Sequence, residues 1–291
     1  MTMKWVDEVY KGVLRTGFRV RRRLFKGRSA FQTVEVVETA GHGRLLLIDG
    51  MTMVSDRDEF VYHEMIAHAP LCVHPRPRRV LVVGGGDGGT VREVLRHACV
   101  ESCALVEIDS LVVGAAKAFL PGTGRALGDR RCRVLIQDGV KFVRETAERF
   151  DVVIVDSTEP FGPAAELFGP AFYRDTSRIL TRGGIAVSQA GSPFYEPGTI
   201  KNLLAILRPV FRVSLPFLFT NMTYPGGLWA FTFASKGPHP VRDLNRRRAA
   251  GLKGLRWYSP AMHAAAFTLP PFLQDALGRN PRFARRIEGF K

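Results

Sequence analysis

One stretch limits the fold more than any other, Val80–Gly89, reading VLVVGGGDGG. Val80 to Val83 is a short, wholly apolar run, as a strand buried on both faces of a parallel sheet requires. Five of the next six residues are glycine, and the exception is Asp87. Helical apolar spacing resumes at Val91, Val94 and Leu95. Glycines at a strand-to-helix turn let a ligand approach the backbone and leave N–H groups facing it. A carboxylate in that turn repels a phosphate or another carboxylate and attracts a cation.

Strands and helices alternate from Arg79 onward. The pairs are Val80–Val83 with Thr90–His97, Ala104–Ile108 with Leu111–Phe119, and Val134–Ile136 with Val140–Ala147. Val152–Val155 with Ala165–Ile179 and Ile185–Ser188 with Thr199–Leu207 follow. This is the pattern of a doubly wound α/β sheet, whose ligands sit at the carboxyl ends of the strands. Val213–Phe219 and Leu228–Ala234 read as an antiparallel edge pair, with a short helix near Pro271–Leu277. Residues 14–58 carry hairpin-like alternation ending at the Asp49-Gly50 turn, so a small antiparallel β domain precedes the sheet. Glu59–His68 has helical spacing and is expected to be amphipathic. The division expected is residues 1–68 and 69–291.

The net charge of +15 is unevenly spread. Residues 1–30 hold 9 basic and 2 acidic side chains, and residues 176–291 hold 17 and 4. Residues 31–175, which contain the glycine turn, hold 16 and 21. Neither Arg21–Arg23 nor Arg246–Arg248 is accompanied by stacking aromatics, so a solvated basic surface is favoured over nucleic-acid binding. The longest apolar runs are too short for a bilayer, and the first residues, which include acids and no apolar core, do not read as a secretory leader. The four cysteines lack paired C-x-x-C spacing, which favours free thiols and a cytoplasmic location over disulfides or a metal site.

Each strand end carries an acid: Asp87, then Glu107 and Asp109, then Asp138 beside Gly139, then Asp156-Ser157-Thr158-Glu159. Glu107 stands about where an acid takes the ribose hydroxyls of an adenosine ligand. Asp138 suits an adenine amino group, with Gly139 letting the ring pack close. The G-x-G-x-x-G spacing at Gly84, Gly86 and Gly89 alone permits a dinucleotide or S-adenosylmethionine. Asp87 narrows the choice, because a like charge at roughly 4 Å costs about 4 kcal/mol at an effective dielectric near 20. The adenosyl ligand it favours has a free aminopropyl arm and no carboxylate: decarboxylated S-adenosylmethionine, as co-substrate and not as a resident cofactor. The opposing reading turns Asp87 away to cap the helix at Thr90.

Asp156 either caps a helix or, with Glu159 nearby in an acidic crevice, accepts the proton that an attacking amine must lose. Tyr62 and His63 read as helix packing or as groups that orient the attacking nitrogen.

The chain resembles the spermidine synthases at Phe31-Gln32, Leu47–Gly50, Asp58–Glu64, Gly84–Gly89, Val106–Asp109, Asp156–Pro160, Gly162–Ala164 and Leu167-Phe168. Thr223–Gly226 and His263–Pro270 also match, from about Phe18 to Phe272 and in the right order. The resemblance implies a Rossmann-like, methyltransferase-type domain after an N-terminal β domain, assembled as a homodimer or homotetramer. It implies that Gln32, Glu107, Asp138, Gly139 and Pro163 contact the donor, with Asp87 between donor and amine. His63, Asp87, Asp156, Ser157, Thr158 and Glu159 would line the amine site, with Tyr62 and Tyr224 beside the nitrogen and Asp156 as proton acceptor. Many members read Asp-Ser-Thr-Asp where Glu159 closes the motif here, which bears on amine selectivity. The implied reaction moves an aminopropyl group to a primary amine, putrescine first among them. The rivals are an S-adenosylmethionine methyltransferase, a nicotinamide dehydrogenase, and a surface-binding scaffold without turnover.

Overall fold

A computed structural model describes residues 4–159 and 162–278, without the side chains of Gly162 and Pro163. The basic residues from Arg279 onward, and the side chain of Pro163, expected against the donor, lie outside the described residues.

Five strands form an antiparallel meander: β1 (Trp5–Tyr10), β2 (Leu14–Arg28), β3 (Thr33–Thr39), β4 (Arg44–Ile48) and β5 (Met51–Ser55). β1 precedes residues 14–58, where hairpins were expected, and pairs with β2 from Trp5↔Arg19 to Tyr10↔Leu14. Helix α1 (Glu59–Leu71) follows, with Pro70 in its last turn.

The second sheet has seven strands: β6 (Arg79–Gly84), β7 (Ser102–Glu107), β8 (Cys132–Ile136), β9 (Phe150–Asp156), β10 (Leu180–Gln189), β11 (Val213–Thr220) and β12 (Leu228–Ser235). Their order is β11-β12-β10-β9-β6-β7-β8. β8, β7, β6, β9 and β10 are parallel, and β12 and β11 close the edge antiparallel. The connecting helices are α2 (Gly89–Leu95), α3 (Ser110–Phe119), α4 (Pro121–Gly124), α5 (Gly139–Glu145), α6 (Pro170–Ile179) and α7 (Pro197–Leu207). Short helices α8 (Arg246–Gly251), α9 (Pro260–Ala266) and α10 (Pro271–Ala276) end the described chain. The helix expected over Ala165–Ile179 is two pieces, a 3-10 turn at Gly162–Phe168 and α6, because Gly169 and Pro170 interrupt it.

β6 serves two cores. Val80 and Val82 join one, with α1 and the inner face of the small sheet at Val34, Val36, Leu46 and Val54. Leu81 and Val83 join the other, with Val153, Val155, Phe172 and Leu203. Alternating residues facing two packed layers explain the unbroken apolar run.

α1 is not amphipathic. Almost every residue is buried, including Glu59, His63, Glu64 and His68, because the helix packs against α2, strands of the large sheet and the C-terminal segment. Its charged groups are therefore paired. Glu64 accepts the backbone N–H groups of Arg256, Trp257 and Tyr258, and His68 lies 3.1 Å from Glu93.

Candidate active site

The strand order reverses between β6 and β9, where Gly84 stands opposite Asp156. That switch point opens the crevice in which ligands of such sheets bind. Gly84 has φ +80°, and a Cβ there would lie 2.2 Å from the Asp156 carbonyl oxygen. Gly89 admits no side chain because the His63 ring covers it, 2.1 Å from where a Cβ would stand.

Asp87, Glu107, Asp138 and Asp156 line one cleft, with Gln32, Gly139, Tyr62, His63, Ser157, Thr158, Glu159 and Tyr224. The four strands thus present their acids to one space, as their spacing predicts.

At one end Glu107 is buried, accepts the Asp109 N–H at 2.9 Å, and is pushed up to about 7 by burial. Asp138 caps α5, accepting from Val140 and Lys141 through Oδ1. Its side chain is exposed, with Oδ2 making no hydrogen bond among the described residues. Gln32 reaches over from the small sheet, its Nε2 donating to Asp109 Oδ2 at 3.0 Å. Asp109 also accepts from Ser29 Oγ and caps α3 through Leu111 N–H. The sequence shows Asp109 only as a strand-end acid; its role as the tie between the two sheets needed the fold.

The middle of the cleft holds the reactive-looking groups. Asp156 accepts Tyr62 Oη at 2.7 Å on Oδ1 and Thr90 Oγ1 at 2.6 Å on Oδ2. Burial, and then the charge of Asp87, raise its carboxyl above the ordinary value, against His63, Thr90 and Tyr62. Helix α2 carries no side-chain cap, and Asp87 lines the cleft instead of pointing away. Its Oδ1 accepts the Gly89 N–H at 2.8 Å and faces His63 Nε2 at 3.3 Å, while Oδ2 makes no hydrogen bond among the described residues. Tyr62 combines packing against Phe219 and Phe231 with its bond to Asp156. A ring nitrogen of His63 and carboxylate oxygens of Asp87 and Asp156 lie within 4.8 Å of one another. Both ring nitrogens of His63 face carboxylates, an arrangement that favours the doubly protonated ring over one with a lone pair for a metal. An ammonium suits the space better.

Two distant motifs meet here. Asp58, preceding α1, accepts Thr223 N–H at 2.8 Å and Thr223 Oγ1 at 2.6 Å. This places Tyr224 in the cleft, 5.9 Å from Tyr62 between ring centres, with its hydroxyl donating to the Met53 carbonyl.

The far end has groups the sequence did not single out. Tyr10 Oη lies 2.9 Å from Glu159 Oε1 and 2.6 Å from Glu196 Oε2, and Lys11 Nζ pairs with Glu196 at 2.8 Å. Burial holds Glu159 up at about 7. Glu8, on the same face of β1 as Tyr10, accepts the Thr52 N–H and lines the cleft. Gln189 Oε1 is buried there without a hydrogen-bond partner among the described residues. The i, i+2 pair of Glu8 and Tyr10 was the available signal.

Comparison with known proteins follows this geometry. The family model for the spermine/spermidine synthase domain matches residues 59–244, and that for the spermidine synthase tetramerisation domain matches residues 4–56. The chain belongs to the spermidine synthase family. A polyamine aminopropyltransferase of Moorella thermoacetica is 42% identical over 273 residues, spanning 94% of this chain and 96% of its own. That of Methanocaldococcus jannaschii is 39% identical, spanning 94% of each chain. A solved spermidine synthase in complex with the transition-state analogue AdoDATO superposes with a TM-score of 0.94 at 37% identity, covering 96% of this chain and 97% of that one. The spermidine synthase of Thermotoga maritima matches with a TM-score of 0.92 at 37% identity, covering 96% of each chain. The protein is thus a transferase of the polyamine aminopropyltransferase type on a Rossmann-like sheet.

Proposed function

We propose that this enzyme transfers the aminopropyl group of decarboxylated S-adenosylmethionine to a primary amine of putrescine, giving spermidine and methylthioadenosine. Asp87 is the observation that carries this reading. Asp87 lines the cleft and its Oδ2 makes no hydrogen bond among the described residues, so the turn that would cradle a phosphate or an amino-acid carboxylate presents negative charge. An aminopropyl ammonium is the group such a turn favours.

In this reading Glu107 takes the ribose hydroxyls, Asp138 Oδ2 and Gly139 meet the adenine, and Gln32 covers the nucleoside. The acceptor nitrogen lies between Tyr62, Tyr224, His63 and Asp156. It attacks the carbon bonded to sulfur; the C–S pair leaves with sulfur as a thioether, and the amine proton passes to Asp156. The raised affinity of Asp156 for a proton suits it to that duty. The sulfonium is already a good leaving group, so positioning supplies most of the remaining rate. Ser157 and Thr158 form the turn beside Asp156, and Glu159, Glu8 and Gln189 receive the second ammonium of a diamine.

We place the enzyme in the cytoplasm, as free cysteines suit a reducing compartment. No helix among the described residues is long and apolar enough to cross a membrane. The match of the small sheet to a tetramerisation domain supports a homotetramer, measurable by sedimentation. Arg15, Arg22 and Arg23 of the basic β2 pair with Asp7, Glu38 and Glu35, which supports a solvated surface rather than a nucleic-acid site.

Purified protein with putrescine and decarboxylated S-adenosylmethionine should release methylthioadenosine and spermidine in equal amounts. Calorimetry should show weaker binding of intact S-adenosylmethionine. Tighter binding of the intact compound, or no product with any primary amine, overturns the reading.

A further inference from the structure

We propose that Glu59 and Arg92 are positioning residues that hold the His63 ring as a fixed imidazolium beside the amine pocket, and that this cation helps the acceptor ammonium surrender its proton to Asp156. The inference rests on the amine-site reading above and deepens it.

The geometry is a chain of paired charges ending in the cleft. Arg92 Nη1 and Nη2 meet Glu59 Oε1 and Oε2 at 2.9 and 2.7 Å, a two-pronged clamp. Glu59 Oε2 lies 2.6 Å from His63 Nδ1, one helical turn along α1. His63 Nε2 faces Asp87 Oδ1 at 3.3 Å. Arg256, from the C-terminal segment, stands 3.7 Å from Glu59. From β9, Asp156 adds a second carboxylate near the ring, and the Tyr62 hydroxyl donates to it.

A neutral imidazole has one N–H and one lone pair, so a ring facing a carboxylate at each nitrogen would turn that lone pair toward an anion. The ring therefore carries both protons. Burial opposes this charge, but Asp87 and Glu59 outweigh it and keep the ring protonated up to about 10. Glu59 is correspondingly held down to about 2, since His63 and Arg92 overcome its burial. His63 accordingly accepts no proton from the substrate.

The charges then balance in a useful way. Arg92 offsets Glu59, and His63 offsets one of Asp87 and Asp156. One net negative charge remains, and the donor's aminopropyl ammonium at Asp87 offsets it. A neutral ring would leave one more negative charge facing the acceptor ammonium, binding it more firmly and making it more basic. The imidazolium thus gives up some binding in exchange for an amine that deprotonates, and the pair behind it sets that exchange.

The test is Glu59→Gln, with His63 followed by imidazole carbon NMR and assigned through His63→Asn. In the parent protein the ring should remain an imidazolium beyond pH 9. In Glu59→Gln it should titrate at least about tenfold more easily, a shift of one pH unit or more. At a pH above the variant's His63 titration and below the parent's, steady-state kinetics should show kcat down about tenfold and amine KM lowered, both effects shrinking as the pH is lowered. Purely structural damage would not lower KM. A parent ring that titrates below pH 7, or a variant whose pH profile and KM superimpose on the parent's, overturns the proposal. Should Glu59→Gln not fold, Glu59→Asp keeps the charge but withdraws the carboxylate from His63 Nδ1, and must move the His63 titration in the same direction by a smaller amount. Because the NMR titration uses no substrate, its outcome stands apart from whether putrescine is the acceptor.

Discussion

Replacing Asp156 by Asn should separate activity from stability. Both carboxylate oxygens accept one hydroxyl, from Tyr62 at 2.7 Å and from Thr90 at 2.6 Å. An amide can keep both contacts, since a hydroxyl can turn to accept from the new NH2 as readily as it donated. What disappears is the proposed proton acceptor and a buried negative charge beside Asp87. Loss of a general base costs about 10²- to 10⁴-fold in turnover. Two decades correspond to about 2.7 kcal/mol of barrier. Removing a poorly compensated buried charge should stabilise the fold by about 1 kcal/mol, or roughly 2–4 °C in Tm for a protein near this size. The pH dependence has a definite sign. A carboxyl whose folded value is raised above 3.8 binds its proton more tightly when folded, so the penalty is absent in acid and appears as pH climbs. Calorimetric scans should therefore show the variant ahead of the parent at pH 8 and level with it near pH 4. A variant with parental turnover, or one less stable at pH 8, would refute the reasoning.

Glu107→Gln should raise the donor KM about 10- to 100-fold while leaving the amine KM nearly unchanged, because Glu107 lies at the nucleoside end; equal changes in both would contradict that placement. Gly89→Ala should fold but lose most turnover, since its Cβ would meet the His63 ring at 2.1 Å and push it off Glu59 and Asp87; circular dichroism and a product assay check this. Tyr10→Phe removes the hydroxyl that lowers Glu159 toward its value of about 7. The diamine KM should rise about 3- to 10-fold at pH 7 and recover toward pH 8.5, with a monoamine unaffected. For the whole protein, Glu107 and Glu159, both held up near 7 by burial, should make stability fall as pH rises from about 4.5 to 7. Glu59 and Glu93, both held down near 2, should make it fall again below 4.5. A flat Tm between pH 5 and 7 would count against the raised pair.

Much of the site was legible because it sits at strand ends, where local pattern and topology coincide. Val80–Val83 announces its strand by composition, and the turn after it can hold only glycine beside Asp156 and under His63. Once β6, β7, β8 and β9 are known to be parallel, Asp87, Glu107, Asp138 and Asp156 must share one end of the sheet. The period of α1 was less informative. Its expected polar face does not exist, because Arg92, Asp87, Glu93 and backbone N–H groups of the C-terminal segment satisfy its charges from outside the helix. No window within α1 contains that information.

The missed groups share a physical cause. Tyr10 meets Glu159 across 149 residues and Glu196 across 186, so neither contact leaves a mark on local spacing. β1 itself was hidden because Trp5 and Val9 are exposed, while Tyr10 and Glu8 are buried against the cleft. Its apolar and polar residues are thus inverted relative to an ordinary half-buried strand. That inversion is a consequence of where the strand lies. A strand that lends a carboxylate and a hydroxyl to a cationic ligand must turn polar groups inward, and its apolar groups then face away from the core. Trp5 and Val9 therefore have an outer face to fill, which fits the match of residues 4–56 to a tetramerisation domain. On the proposed reading, the same residues that disguise β1 in the sequence link an assembly face to the far wall of the amine pocket. Trp5→Ser should weaken assembly and raise the diamine KM together, measured by sedimentation and kinetics on one sample; a change in assembly with KM unmoved would break that link.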